Sequence, residues 1–295
     1  MLLVPLATGA VVGRPVGDRI VSVLSLAAVV LGLFCARTPL EAWLGISPSR
    51  AQNPREHRII ILFIYIYASV SLGALAILLW HIRFNGLYLP GATAAAAFLV
   101  QAILKRRGRQ NRMAAQLVGS VGLTATAAAA YYVASGRLDR TALVLWATNW
   151  VFAANQIQYV QTRIHSARAA TVNERLTQGR WFILGEFVTV LALALAWRKG
   201  WLPSLALLAF APALLRGLAW FLSSPTRLQI RRLGISELLH AVLFAALLIA
   251  GFRIHDGCYT LPRSGKASGR VSAAGPNWHS SNPARRSLRM LREGP

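Results

Sequence analysis

Apolar residues run through this chain in long blocks separated by short clusters of arginine. Four blocks, 59–82, 84–104, 113–136 and 141–162, hold no Asp, Glu, Lys or Arg over at least 21 residues each. About 20 apolar residues in a helix cross a hydrocarbon core of roughly 30 Å. Reading the rest of the chain by the same rule predicts nine helical spans. They fall near 1–13, 20–36, 59–80, 87–104, 115–134, 141–162, 181–197, 201–222 and 234–252. The first is short, since 13 residues at 1.5 Å each reach only about 20 Å. No basic segment precedes it, so a signal peptide does not explain it. The pattern predicts a truncated first span, the chain opening inside its first helix. The fold class is therefore all-α, a polytopic transmembrane helix bundle.

Composition sharpens this. Of 295 residues 55% are hydrophobic and 14% charged, with a mean hydropathy of +0.48. Soluble chains carry about 25% charge, so a soluble enzyme and a disordered chain are both excluded. Cys35 and Cys258 give no disulfide framework and no ligand spacing. A net charge of +23, with 29 arginines among 32 basic residues, raises nucleic acid as a partner. The arginines nevertheless lie mostly between apolar blocks, where they set membrane orientation, and no nucleic-acid partner is expected. The loops at 37–58, 105–112, 163–180 and 227–232 hold sixteen Arg and Lys, and the alternate loops seven. That bias predicts a multi-pass protein of the cell membrane with its amino end cytoplasmic and its carboxyl end outside. Eight further basic residues follow the last span on the outer side, in a tail that weighs less than short loops. Gly, Ser, Pro, Arg and Asn dominate from 255 onward. The expected organisation is a bundle over 1–254 and a disordered, basic tail over 255–295.

Small residues are plentiful inside the spans. Ala115, Gly119 and Gly122 share one face, which suits close helix approach in lipid. The sixth span differs in kind. Asn149, Phe152, Gln156, Tyr159 and Arg163 recur at three and four residues, one helical face, with Asn155, Gln158 and Gln161 nearby. Amides at membrane depth need partners, so this face looks into the bundle. Two readings stay open, interhelical amide contacts and a ligand site. Glu186 is the one carboxylate well inside a span, with Arg216 as its expected charge partner. Glu237 and His240 read as an interfacial pair, and Arg37 with Glu41 as an ion pair at a helix end. There is no HExxH, no cysteine pair and no clustered Asp, so neither a metal nor a cofactor is expected.

Two strings carry a resemblance. Residues 155–164 read Asn-Gln-Ile-Gln-Tyr-Val-Gln-Thr-Arg-Ile, followed by Arg168 and Glu174-Arg175. Residues 231–240 read Arg-Arg-Leu-Gly-Ile-Ser-Glu-Leu-Leu-His. Together they resemble the YwiC-like family of bacterial integral membrane proteins, over most of 1–253. Members of that family begin with Pro-x-Glu-His-Gly-x-Trp before a Met-Leu-x-Val-Pro run. This chain opens at Met1-Leu2-Leu3-Val4-Pro5 without it. A more distant similarity is to UbiA-type prenyltransferases, also nine helices with the amino end inside. Their Asp-rich motifs, which hold magnesium on a prenyl diphosphate, correspond here to 37–58 and 163–180, and those Asp positions are not kept. That arrangement implies that Arg37 and the arginines at 163, 168, 175 and 180 meet at one end of the bundle. Arginine forks hold phosphate without a metal.

The candidate ligand-binding residues are Arg37, Asn149, Asn155, Gln156, Tyr159, Arg163, Arg168 and Glu186. Three functional readings stand side by side, and an enzymatic activity is left open among them. The first is a YwiC-like bundle with a polar, cytoplasm-facing cavity for a lipid or small anion. The second is a UbiA-like transferase on a polyprenyl or quinone-type lipid, and the third is a transporter. Membrane lipids are the expected surroundings, with a polyprenyl or other anionic lipid as ligand.

Overall fold

In the computed structural model, residues 2–45, 53–82, 84–166, 171–222 and 229–260 are described. Among them the chain is helical and contains no strand. The α-helices are α1 (Leu3–Gly13), α2 (Asp18–Trp43), α3 (Pro54–His81), α4 (Tyr88–Arg106) and α5 (Arg112–Ser135). They continue as α6 (Arg140–His165), α7 (Val172–Arg198), α8 (Ser204–Leu208), α9 (Ala211–Leu222) and α10 (Ile230–Thr260). Each expected span has its helix, the eighth being divided between α8 and α9. Seven segments are long and apolar enough to cross a membrane: α2, α3, α4, α5, α7, the α8–α9 pair and α10. The tail expected to begin at 255 starts as a continuation of α10, and residues 261–295 lie outside the described residues.

Local sequence explains the helix ends. Pro54 opens α3 at its first position, where a missing N–H costs nothing. Asp139 caps α6 by accepting from the Ala142 amide, and Thr171 caps α7 by accepting from that of Glu174. Gly136 closes α5 in the left-handed conformation that glycine adopts without strain. The eighth span breaks because Pro212 has no N–H to offer Leu208. The chain bridges the gap with tighter bonds, Ala209 to Ala206 and Phe210 to Leu207.

The bundle is organised around α5. Its Ala, Gly, Ser and Thr residues are buried along almost two faces, and α1, α2, α4 and α6 all pack against it. α1 comes closest. At Gly9 a side chain would collide with the Ala127 carbonyl, and at Gly13 with Ala134. Small residues thus let two backbones touch, the packing that holds helices together where lipid removes the hydrophobic drive. A second core joins α6 to α10 through Phe152, Phe210 and Phe244, with the Phe152 and Phe244 rings stacked at 3.9 Å. The outer surface is apolar, Trp80 and Leu222 being almost fully exposed, and α3 is the least buried of the spans. An apolar exterior of this extent is what a bilayer covers.

Polar contacts identify the two ends of the bundle. At one end Lys105 reaches Glu41, Gln161 reaches Gln116 and Arg216 reaches Glu237. At the other, Arg19 donates to the Ala134 carbonyl, Arg140 to that of Lys199 and Arg253 to that of Val11. The first end carries the loops richest in arginine.

Candidate functional site

The sixth span buries the face that its spacing predicted. Asn149, Phe152, Gln156 and Tyr159 are each at most 4% exposed. The polar residues of this face and its neighbours then separate into two places.

The first is a cavity of about 250 Å³ where α1, α2, α4, α5 and α6 meet, with Ala241 of α10 also on its wall. Asn149 lines it from α6, Arg37 from α2, Gln101 from α4 and Gln116 from α5. The Asn149 amide donates to Thr8 Oγ1 at 3.1 Å and to the Leu145 carbonyl at 2.8 Å, while its Oδ1 has no partner. Gln116 accepts from Gln161 at 2.9 Å. The amide-contact reading therefore holds for Gln161, and in part for Asn149. Arg37 Nε donates to Glu41 at 2.9 Å, the ion pair that the sequence suggests, and Lys105 Nζ reaches the same carboxylate oxygen at 2.7 Å. Two cations share one carboxylate, so this rim keeps a net positive charge.

A larger cavity of about 500 Å³ adjoins it, between α2, α3, α4 and α5. Arg37, Gln101, Gly119 and Leu123 belong to both walls. Elsewhere the larger lining is apolar, with Leu26, Val30, Leu78, Leu87, Ala94 and Phe98 among its residues.

The second place gathers α6, α7, α9 and α10. Arg216 lies 4.0 Å from the Tyr159 ring centre and pairs with Glu237 at 2.5 Å. Both charged side chains are nearly buried, 11% and 13% exposed, so each depends on the other. Arg163 and Arg175 each sit 5.6 Å from the Trp220 ring, in cation–π geometry. Arg216, the expected partner of Glu186, forms its ion pair with Glu237 instead, although its charge still acts on Glu186. Asn155 is the other polar neighbour of Glu186. No donor meets either Glu186 carboxylate oxygen in hydrogen-bond geometry, and both polar atoms of Gln156 lack a partner. His240 bonds back to the Ser236 carbonyl rather than to Glu237.

The eight candidate residues are thus divided. Asn149 and Arg37 share the smaller cavity. Asn155, Gln156, Tyr159, Arg163 and Glu186 surround the buried cluster and line neither cavity. Arg168 lies outside the described residues. Arg37 and Lys105 meet at Glu41, while Arg163 and Arg175 gather at Trp220. Thr8, Gln101 and Gln116 were not singled out as site residues. Gln116 is the one amide side chain in the block 113–136 and Gln101 the one between 88 and 104, which is the signal that marks them. Among the described residues no three His, Cys, Asp or Glu side chains come together as metal ligands.

The apolar exterior and seven membrane-length helices define a multi-pass membrane protein. Comparison with known families adds a match over part of the chain. Residues 1–131 match the family described as YwiC-like protein, from α1 through most of α5. The whole lining of the larger cavity falls within that matched stretch. The strings at 155–164 and 231–240 fall beyond it. No curated protein and no solved structure gives a significant match.

Proposed function

We propose that this protein holds an anionic lipid or small anion in the cavity framed by Arg37, Gln101, Gln116 and Asn149. The supporting observation is the charge of its rim, where Arg37 and Lys105 share the single carboxylate of Glu41. An anion there completes the balance, and guanidinium and ammonium groups bind phosphate or carboxylate oxygens strongly when partly desolvated. The arginine-rich end is the cytoplasmic one on this reading, placing the amino end inside the cell and the carboxyl end outside. Binding needs no divalent metal, because the cations are supplied by side chains.

The test is retention of a radiolabelled alkyl phosphate by purified protein, with and without EDTA and across a salt series. Binding should survive chelation, weaken with salt and fall at least tenfold in Arg37→Gln. Binding abolished by EDTA and restored by magnesium would support a metal-dependent transferase instead. A second reading, transport, draws on the break between α8 and α9 and on the buried Glu186, which packs at Gly217 of α9, since broken helices accompany transport sites. Uptake of the same phosphate into proteoliposomes, with none retained by detergent-solubilised protein, would favour it.

A further inference from the structure

Resting on the anion site just proposed, we infer that its ligand is an amphiphile with one hydrocarbon chain. The anionic head lies at Arg37, and the chain fills the adjoining apolar cavity between α2, α4 and α5.

Three features of the cavity lead here. The first is continuity. Arg37, Gln101, Gly119 and Leu123 stand on both walls, so the polar and apolar spaces meet where the charge is. The second is direction. Away from Arg37 the larger lining continues through Ala94 and Ala125 to Gly91, Leu87 and Leu26, toward the opposite end of the bundle. From Gln101 back to Pro90 along α4 is a rise of about 16 Å.

The third is shape. A volume of about 500 Å³ drawn out along about 16 Å of helix is elongated, the form that a chain lying along α4 fills. Its wall presents no polar side chain beyond Gln101, Arg37 and Thr126, so it suits hydrocarbon along its length.

Gly91 supplies the means to test this. It lines the far part of the cavity, and a Cβ added there meets nothing within 4 Å. A large side chain at this position has the room to fill that end of the cavity, well away from the Arg37 rim. Because glycine is the poorest helix former after proline, the substitution also favours α4.

The experiment measures binding of straight-chain alkyl phosphates of six to twenty carbons, farnesyl phosphate and a two-chain phosphatidic acid to the full-length protein. Affinity should climb with chain length, level off within the series and exceed that of the two-chain lipid at least tenfold. In Gly91→Phe the plateau should move to shorter chains, with hexyl phosphate binding unchanged and folded yield preserved. Arg37→Gln should weaken every chain length alike. Farnesyl phosphate should bind with the affinity of a straight chain of similar length. Affinity independent of chain length, or an unmoved plateau in Gly91→Phe, would overturn the single-chain inference while leaving the anion site standing. No binding by any phosphate would remove both.

Discussion

At the scale of single residues, burial without partners separates two kinds of polar group. Glu237 and Arg216 neutralise one another through a single contact, and removing either strands a buried charge, a loss of about 3–5 kcal/mol. Gln156 is fully buried and neither of its polar atoms is bonded, so replacing it with leucine removes a penalty rather than an interaction. Glu237→Ala should therefore lower the melting temperature of detergent-solubilised protein markedly. Gln156→Leu should leave it unchanged or raise it. Comparable losses in both would show that Gln156 contributes to packing through contacts its bonding does not reveal.

At the scale of elements, the glycines of α1 make a sharper case than its length does. Gly9→Val drives a branched side chain into the Ala127 carbonyl, and overpacking of this kind costs about 1–3 kcal/mol. Gly73 on α3 has open space around it, so Gly73→Ala should be neutral or mildly stabilising. Folded yield after gel filtration checks the pair. Equal yields would mean that α1 shifts to accommodate the change. The positions of the helices were legible because charge-free blocks of membrane length admit little else. The Arg37–Glu41 pair was legible because helix neighbours at i and i+4 face each other. The partition of the candidate residues was not. Spacing fixes which face of α6 a residue lies on, but which helix meets Asn149 and which meets Tyr159 depends on packing between helices far apart in sequence. Arg216 choosing Glu237 over Glu186 belongs to the same class, because the choice lies between residues on two other helices. The break at Pro212 was visible as a residue, yet a proline inside an apolar run also occurs in unbroken spans, as Pro39 does within α2.

At the scale of the whole molecule, orientation is the property most directly tested. With Cys35 and Cys258 replaced by serine, single cysteines at Arg107 and at His165 should label from the cytoplasmic side. Cysteines at Arg137 and Lys199 should label only from outside. Labelling of positions 107 and 137 from the same side would refute the crossing of α5 between them.

The central place of α5 carries its own consequence for how the protein is made. Its most hydrophobic window has a mean hydropathy of 1.4, against 2.3 for α2 and α3, yet it is 61% buried where theirs are 28% and 11%. A ribosome delivers α1 to α4 before α5 emerges, so the small-residue helix enters a bilayer in which much of its protein surroundings already waits. Rearranging the gene so that α5 is translated first would present the membrane with a segment rich in alanine, glycine and threonine and no neighbours to receive it. The order of the helices along the chain is then part of what allows so mildly apolar a segment to serve as the axis.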